Sequence, residues 1–288
     1  MMNFRKALKD KQFVITSEIF PPKGTDITGF VQKAGLLKHL VDGINVTDNQ
    51  RAVMRISSLA ASRILLDAKT DPIYQITCRD RNRLALQSDL IGASAMGIKN
   101  TLALSGDHPN NGDHPEAKPV YDLDTIQLIR TAKGLNNGVD LQGHKLSGKT
   151  DLLIGAVCNP VYENMALQYH MIEKKIESGA RFFQTQAIFD AGLFKTFLNN
   201  IKHKKIRFLA GILPLKSAKM ARVLNEKVPG IVIPEDIIVD IEKASDPLKR
   251  GLQICASLIK ELRKFADGVH IMAINFEEKI PEILELAR

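Results

Sequence analysis

Short apolar runs rich in β-branched residues alternate along the chain with longer segments whose apolar positions recur at helical spacing. The runs are Phe13–Ile19, Val41–Thr47, Ile73–Thr77, Lys99–Ser105, Leu152–Cys158, Arg181–Gln186, Phe208–Leu213 and Val269–Ile274. Several are almost continuously hydrophobic, as strands buried on both faces must be. Between them the spacing predicts helices over Asp26–Leu40, Ala52–Ala68, Arg83–Met96, Asp124–Lys133, Met165–Ser178, Gly192–Asn199 and Lys216–Asn225. Two more helices are expected within Pro234–Ala266, and Glu277–Ala287 supplies the closing one. Gly97, Gly179 and Gly268 mark passages from helix to strand.

Eight strands alternating with helices imply right-handed βαβ units and the α/β class. Closure into a (β/α)8 TIM barrel accounts for the count best, because an open sheet would leave two edge strands to protect. A doubly wound sheet is the alternative. No linker, short repeat or low-complexity tract divides the chain, so residues 1–288 are read as a single domain. The largest interruption is an excursion over residues 110–150 after the fourth strand. It holds one helix and the polar stretch Gly134–Thr150, open to reading as a functional loop or as a mobile ornament.

Composition narrows the classes. No apolar run reaches the ~20 residues of a membrane span, and the N-terminus is charged with no signal-peptide core. A cytoplasmic protein is expected. Cys78, Cys158 and Cys255 lie far apart and form no metal spacing, which fits buried, reduced thiols. The formal charge of +8 points to anionic partners. Lysine and arginine are scattered over helix faces without a nucleic-acid module, so phosphate-bearing cofactors, a polyanionic substrate tail or simple solubility explain the charge as well. The basic run Lys202–Lys205 reads as a solvated turn.

A parallel barrel concentrates chemistry where its strands end. Glu18 lies within the first apolar run, and alternation turns it inward together with Thr16. Desolvation disfavours the charged form of an inward carboxylate, which suits a general acid working near neutral pH. A structural carboxylate paired with a buried cation or water is the competing reading. Later strands end in Asn45-Val46-Thr47-Asp48-Asn49-Gln50, Gln75-Ile76-Thr77-Cys78, Ser105-Gly106-Asp107 and Gln184-Thr185-Gln186. Singly these are ordinary turn residues; together they converge on one mouth. Asp-His-Pro occurs at Asp107–Pro109 and Asp113–Pro115, but a proline-rich loop does not by itself give metal geometry. No G-x-G-x-x-G follows a strand and opens a helix.

Taken in order, these strand ends resemble the methylenetetrahydrofolate reductase family over nearly the whole chain. The markers are Ser17-Glu18-Ile19-Phe20-Pro21-Pro22-Lys23, Val46-Thr47, Ile76-Thr77-Cys78, Leu102-Ala103-Leu104-Ser105-Gly106-Asp107, Thr185-Gln186 through Phe189-Asp190, and Gly211-Ile212-Leu213-Pro214. The resemblance implies an oxidoreductase that turns 5,10-methylenetetrahydrofolate into 5-methyltetrahydrofolate with FAD, or FMN, in one-carbon metabolism. It implies Glu18 as proton donor to N10, with hydride from flavin N5, and Asp107 and Gln186 as pterin contacts. Asp107 also lies beside the flavin. Thr47, Asp48, Gln75, Ser105, Gly106, Asn159 and the pair Lys174 and Lys175 fall at implied cofactor positions. Electrons come from NADH, NADPH or an iron–sulfur partner subunit, and an oligomer is expected. Related barrels using another hydride carrier, and a barrel subunit serving mainly to dock a catalytic partner, are the alternatives.

Departures from the family pattern concern the cofactor side. Ser105 stands where many members have arginine, Asp48 where an aromatic follows the threonine, and Gln75 where a histidine is usual. Asn159-Pro160 replaces an aromatic-proline pair, and Asn275-Phe276 lacks an arginine expected to meet folate.

Overall fold

The structure, a computed structural model, describes residues 3–201, 203 and 205–288; Lys202 and Lys204 of the basic run lie outside them. Eight parallel strands close in sequence order into a barrel. They are β1 (Val14–Ile19), β2 (Gly43–Val46), β3 (Pro72–Thr77), β4 (Asn100–Leu104), β5 (Leu153–Cys158), β6 (Phe182–Ala187), β7 (Arg207–Ile212) and β8 (Gly268–Ile271). Helix α1 (Phe4–Asp10) precedes β1, and the next six each carry the chain from one strand to the next. These are α2 (Thr28–Leu37), α3 (Ser58–Asp67), α4 (Arg83–Ala95), α5 (Thr125–Asn136), α6 (Met165–Ser178) and α7 (Ala191–Asn199). Helices α8 (Ala218–Lys227), α9 (Glu235–Lys243) and α10 (Pro247–Leu262) separate β7 from β8, and α11 (Ile280–Leu286) closes the ring. The chain is a (β/α)8 TIM barrel.

One apolar cluster fills the space between strands and helices. A second fills the lower barrel with Phe4, Val14, Ile73, Leu102, Phe182 and Leu209. Phe4 meets the Phe182 ring edge-on at 4.9 Å, so α1 plugs the end of the barrel opposite the strand C-termini. Full burial of such a ring contributes about 2–3 kcal/mol. Gly155 makes room for it: a Cβ there would lie 2.2 Å from Phe182 Cζ. The barrel floor is therefore closed, and its chemistry is confined to the other end.

Four local differences from the sequence expectation have physical causes. Helix α1 is not predicted, because its seven residues show too little periodicity; Asn3 caps it by accepting from the Lys6 amide. The helix expected from Ala52 starts at Ser58, after Ser57 accepts from the Ala60 amide. Upstream, Asn49, Arg51 and Ala52 adopt φ of 46°, 58° and 55°, which no continuous helix permits. The last strand stops at Ile271, with Ile274 and Asn275 at φ of 46° and 57° beyond it. The excursion is no loose ornament: its helix α5 is the β4–β5 crossover, with a reciprocal Asp124–Gln127 capping box. Asn136 then holds the return, accepting from Thr150 Oγ1 at 2.6 Å and the Leu152 amide at 2.9 Å. No helix among the described residues is long and apolar enough to cross a membrane.

Candidate active site

The strand C-termini surround a cavity of about 490 Å³. Its inner layer is built by register. Pairing of β1 with β8 sets Thr16 opposite His270, and pairing of β1 with β2 sets Glu18 opposite Asn45. Two residues apart on one strand, Thr16 and Glu18 both point inward. Asn45 and Gln184 exchange amide hydrogen bonds at 2.6 and 3.0 Å. Gln184 Nε2 also donates to Thr16 Oγ1 at 3.1 Å, and that hydroxyl lies 3.0 Å from His270 Nδ1. Glu18 is 4% exposed; its Oε2 is 3.7 Å from His270 Nε2, and its Oε1 has no hydrogen-bond partner among the described residues. A buried oxygen without a partner costs about 1–3 kcal/mol, so this wall is incomplete as it stands.

In the adjacent β2–β3 sector the buried carboxylate is fully engaged. Buried Asp48 accepts from the Thr77 amide at 2.8 Å and its hydroxyl at 2.9 Å. Arg81 reaches the same carboxylate through both terminal nitrogens, at 2.8 and 3.2 Å, and binds Asp89 at 2.8 Å. Burial works against the Arg81 charge, yet Asp48 raises its pKa beyond the ordinary arginine range. Arg79, 2% exposed, forks onto Asp80 with two bonds of 2.7 Å and donates onward to the Asp107 and Asp48 carbonyls. Asp80 is held below the usual carboxylate range: burial would raise it, but Arg79 overrides that.

Just past β4, Gly106 turns the chain at φ 87°, and a Cβ there would lie 3.0 Å from the Cβ atoms of Thr77 and Arg79. Asp107 stands exposed at the rim, accepting from the Arg51 amide at 3.0 Å. Asp113, in the second Asp-His-Pro, accepts from the Met54 amide at 3.0 Å and pairs with Lys23. Both carboxylates thus pin the irregular segment after β2. Lys175 projects from α6 into the cavity and donates to the Val157 carbonyl at 2.8 Å; burial lowers its pKa below the ordinary lysine range. Cys158 also faces the cavity, and burial pushes its thiol up to about 12.

Of the residues singled out in the sequence, Glu18, Asp48, Gln75, Ser105 and Gly106 line this cavity. So do Asp107, Asn159, Lys175 and Gln186. Two do not. Thr47 is fully buried outside the lining, its hydroxyl without a partner among the described residues. Lys174 is exposed on the outer face of α6, 3.2 Å from Glu177, because adjacent helical residues point about 100° apart. His270 and Arg79 escaped the sequence reading. Alternation along β8 would have turned His270 inward, but a lone histidine in an apolar run announces no partner.

The family model for methylenetetrahydrofolate reductase matches residues 3–288. The chain belongs to the methylenetetrahydrofolate reductase family. A probable methylenetetrahydrofolate reductase (NADPH) of Caenorhabditis elegans is 26% identical over 97% of this chain and 43% of its own length. A probable methylenetetrahydrofolate reductase (NADH) of Oryza sativa subsp. japonica is 24% identical over 97% of this chain and 49% of its own. The chain thus spans less than half the length of these two reductases. Among solved structures, an uncharacterized protein from Clostridium thermocellum binds two copies of 5-methyl-5,6,7,8-tetrahydrofolic acid. It shares the fold with a TM-score of 0.67 at 18% identity, over 98% of this chain and 96% of its own. The barrel of a 2,3-dimethylmalate lyase is less similar, with a TM-score of 0.52 at 10% identity, over 99% of this chain and 83% of its own.

Proposed function

We propose that this chain reduces 5,10-methylenetetrahydrofolate to 5-methyltetrahydrofolate with a bound flavin, and that Glu18 supplies the proton. The observation that carries this is Glu18 Oε1: a buried carboxylate oxygen, on the cavity wall, left without a protein partner. The wider site fits a polar, planar ring. Gln50 Oε1 and Thr47 Oγ1 are likewise buried and unpartnered near the end of β2, and Gly106 lets backbone approach a ligand closely. FAD and FMN share that ring; Lys175, a cavity-facing cation with one of its hydrogens on the Val157 carbonyl, keeps others for a phosphate.

Reduced flavin, when bound, supplies hydride from N5 to the exocyclic methylene carbon of the folate. The protein's share is protons, charge and position. Glu18 donates to N10, and the bond from N10 to the methylene carbon breaks with its electron pair kept by nitrogen. The resulting cation is favoured by the Asp107 carboxylate at the rim. Gln186, whose Oε1 accepts from the Ala187 amide at 3.0 Å, keeps its Nε2 hydrogens for the pterin. Asp48, Gln75, Ser105 and Asn159 form the flanking polar surface. The names of the relatives carry both NADPH and NADH, which favours a nicotinamide electron donor over an iron–sulfur partner.

The test is anaerobic. Flavin in the purified chain is bleached in turn with NADH, NADPH and reduced ferredoxin, then mixed with methylenetetrahydrofolate. Absorbance should return, and Glu18→Gln should slow that return by about 10²–10⁴-fold while leaving the bleaching intact. Wild-type return in Glu18→Gln would remove Glu18 from the role. A colourless chain that takes up neither FAD nor FMN would remove the flavin.

A further inference from the structure

Glu18 must regain a proton after every turnover, and the wall that holds it offers one source. His270 is 3% exposed, with Nε2 3.7 Å from Glu18 Oε2 and Nδ1 3.0 Å from Thr16 Oγ1. A gap of 3.7 Å exceeds a formed hydrogen bond but closes with a small side-chain rotation. Thr16 Oγ1 accepts from Gln184 Nε2 at 3.1 Å and lies 3.4 Å from the Val269 carbonyl. A hydroxyl both donates and accepts. With its hydrogen on the Val269 carbonyl, it accepts from Nδ1–H and leaves the Nε2 position free to gain or lose a proton toward Glu18. Turned to Nδ1, it instead fixes the ring hydrogen on Nε2. The wall therefore accommodates either tautomer and the imidazolium without losing the Gln184 bond.

We propose that His270 is the positioning residue that stores the proton Glu18 delivers, and that Thr16 sets which ring nitrogen carries it. The proposal rests on Glu18 being the donor to N10. Water in the open cavity loads one proton onto the pair, as imidazolium beside carboxylate. With folate in place, the Nε2–H bond breaks and an O–H bond forms at Glu18 Oε2. His270 is then neutral, its remaining ring hydrogen on Nδ1 toward Thr16. Glu18 passes the proton to N10, and the pair is one proton short until water returns with product release. One solvent proton is consumed per turnover, the number the reduction requires.

The other ionisable groups on the cavity surface are committed elsewhere. Asp48 is bound by Arg81, Arg79 by Asp80, and Asp107 by the Arg51 amide. Lys175 donates to the Val157 carbonyl, and burial holds Cys158 protonated. Among the described residues, none of these is hydrogen-bonded or ion-paired to Glu18 or His270.

The first test needs no cofactor. In the full chain with ¹⁵N-labelled histidines, the His270 signals are assigned by their loss in His270→Asn and compared between variants at one pH. Glu18→Gln should change the His270 ring ¹⁵N shifts, since the carboxylate 3.7 Å from Nε2 is gone. Thr16→Val should redistribute the ring nitrogens between tautomers, and Thr16→Ser should restore the wild-type pattern. His270 ring shifts unmoved by Glu18→Gln overturn the proposal. In the flavin-loaded protein, His270→Gln should slow folate-dependent reoxidation about tenfold, with KM for methylenetetrahydrofolate within about twofold, and remove one limb of the pH–rate profile. An unchanged rate and profile in His270→Gln, with reoxidation lost in Glu18→Gln, overturns this proposal and leaves Glu18 as donor. Wild-type reoxidation in Glu18→Gln overturns both.

Discussion

Two neighbouring sectors of one cavity wall each bury a carboxylate, and the two are oppositely finished. On the β2–β3 side, Asp48 receives the Thr77 amide, the Thr77 hydroxyl and the Arg81 fork. On the β1–β8 side, Glu18 has one histidine at 3.7 Å and an oxygen with nothing. Burial alone would rank the two carboxylates as equal candidates for chemistry. Satisfaction separates them: a carboxylate whose lone pairs are all engaged stabilises the fold, while one left short awaits something from outside. The same contrast recasts Asp48, which the sequence resemblance places at the cofactor and the structure places in an ion pair that also lines the cavity.

The largest expected effect breaks the finished wall. Asp48→Asn removes the charge facing a buried guanidinium and should cost about 3–5 kcal/mol of unfolding free energy. The lower end is expected, because Arg81 keeps Asp89 at 2.8 Å. Glu18→Gln should cost about 1 kcal/mol or less. Chemical denaturation of both variants checks the pair of values, and equal losses would erase the distinction between the walls. Next in size is Gly106→Ala, which places a Cβ against Thr77 and Arg79 at a left-handed φ of 87°. A left-handed non-glycine residue costs about 1–2 kcal/mol. The same denaturation series should show that loss, and ligand titration should show weaker binding, because the turn carries Asp107. A neutral Gly106→Ala would mean that the β4 turn is not fixed by its neighbours.

The two walls also differ in how legible they are in the sequence. All eight strands show as apolar runs, since a parallel barrel buries both strand faces and leaves little room for polar interruption. Glu18 stands out because it breaks such a run. His270 breaks one too, yet its meaning comes from the β1–β8 register, which joins residues 254 apart in the chain. Asn45 and Gln184 read as strand-end amides converging on the mouth; the structure turns each toward the other. Arg79 follows its strand like any charged turn residue, and only the fold shows its guanidinium buried against Asp80. Helix α1 was missed for a related reason: its Phe4 is an isolated aromatic until the barrel floor supplies Phe182.

The smallest effect compares neighbours that the sequence treats alike. Lys174 and Lys175 form one basic pair in sequence, but Lys174 faces solvent beside Glu177 and Lys175 faces the cavity. Burial lowers the Lys175 pKa in the folded chain, so between that value and the ordinary lysine range the unfolded chain binds more protons. Stability must then rise with pH through that window. Lys175→Met abolishes the dependence, so the wild type should gain on the variant as pH climbs toward the lysine range. Lys174→Met should shift unfolding by less than about 0.5 kcal/mol, with no trend in pH. The same two variants bear on the phosphate: weaker flavin binding in Lys175→Met alone would keep the cofactor's anionic end inside the cavity. Equal weakening in both would place it instead along the outer face of α6.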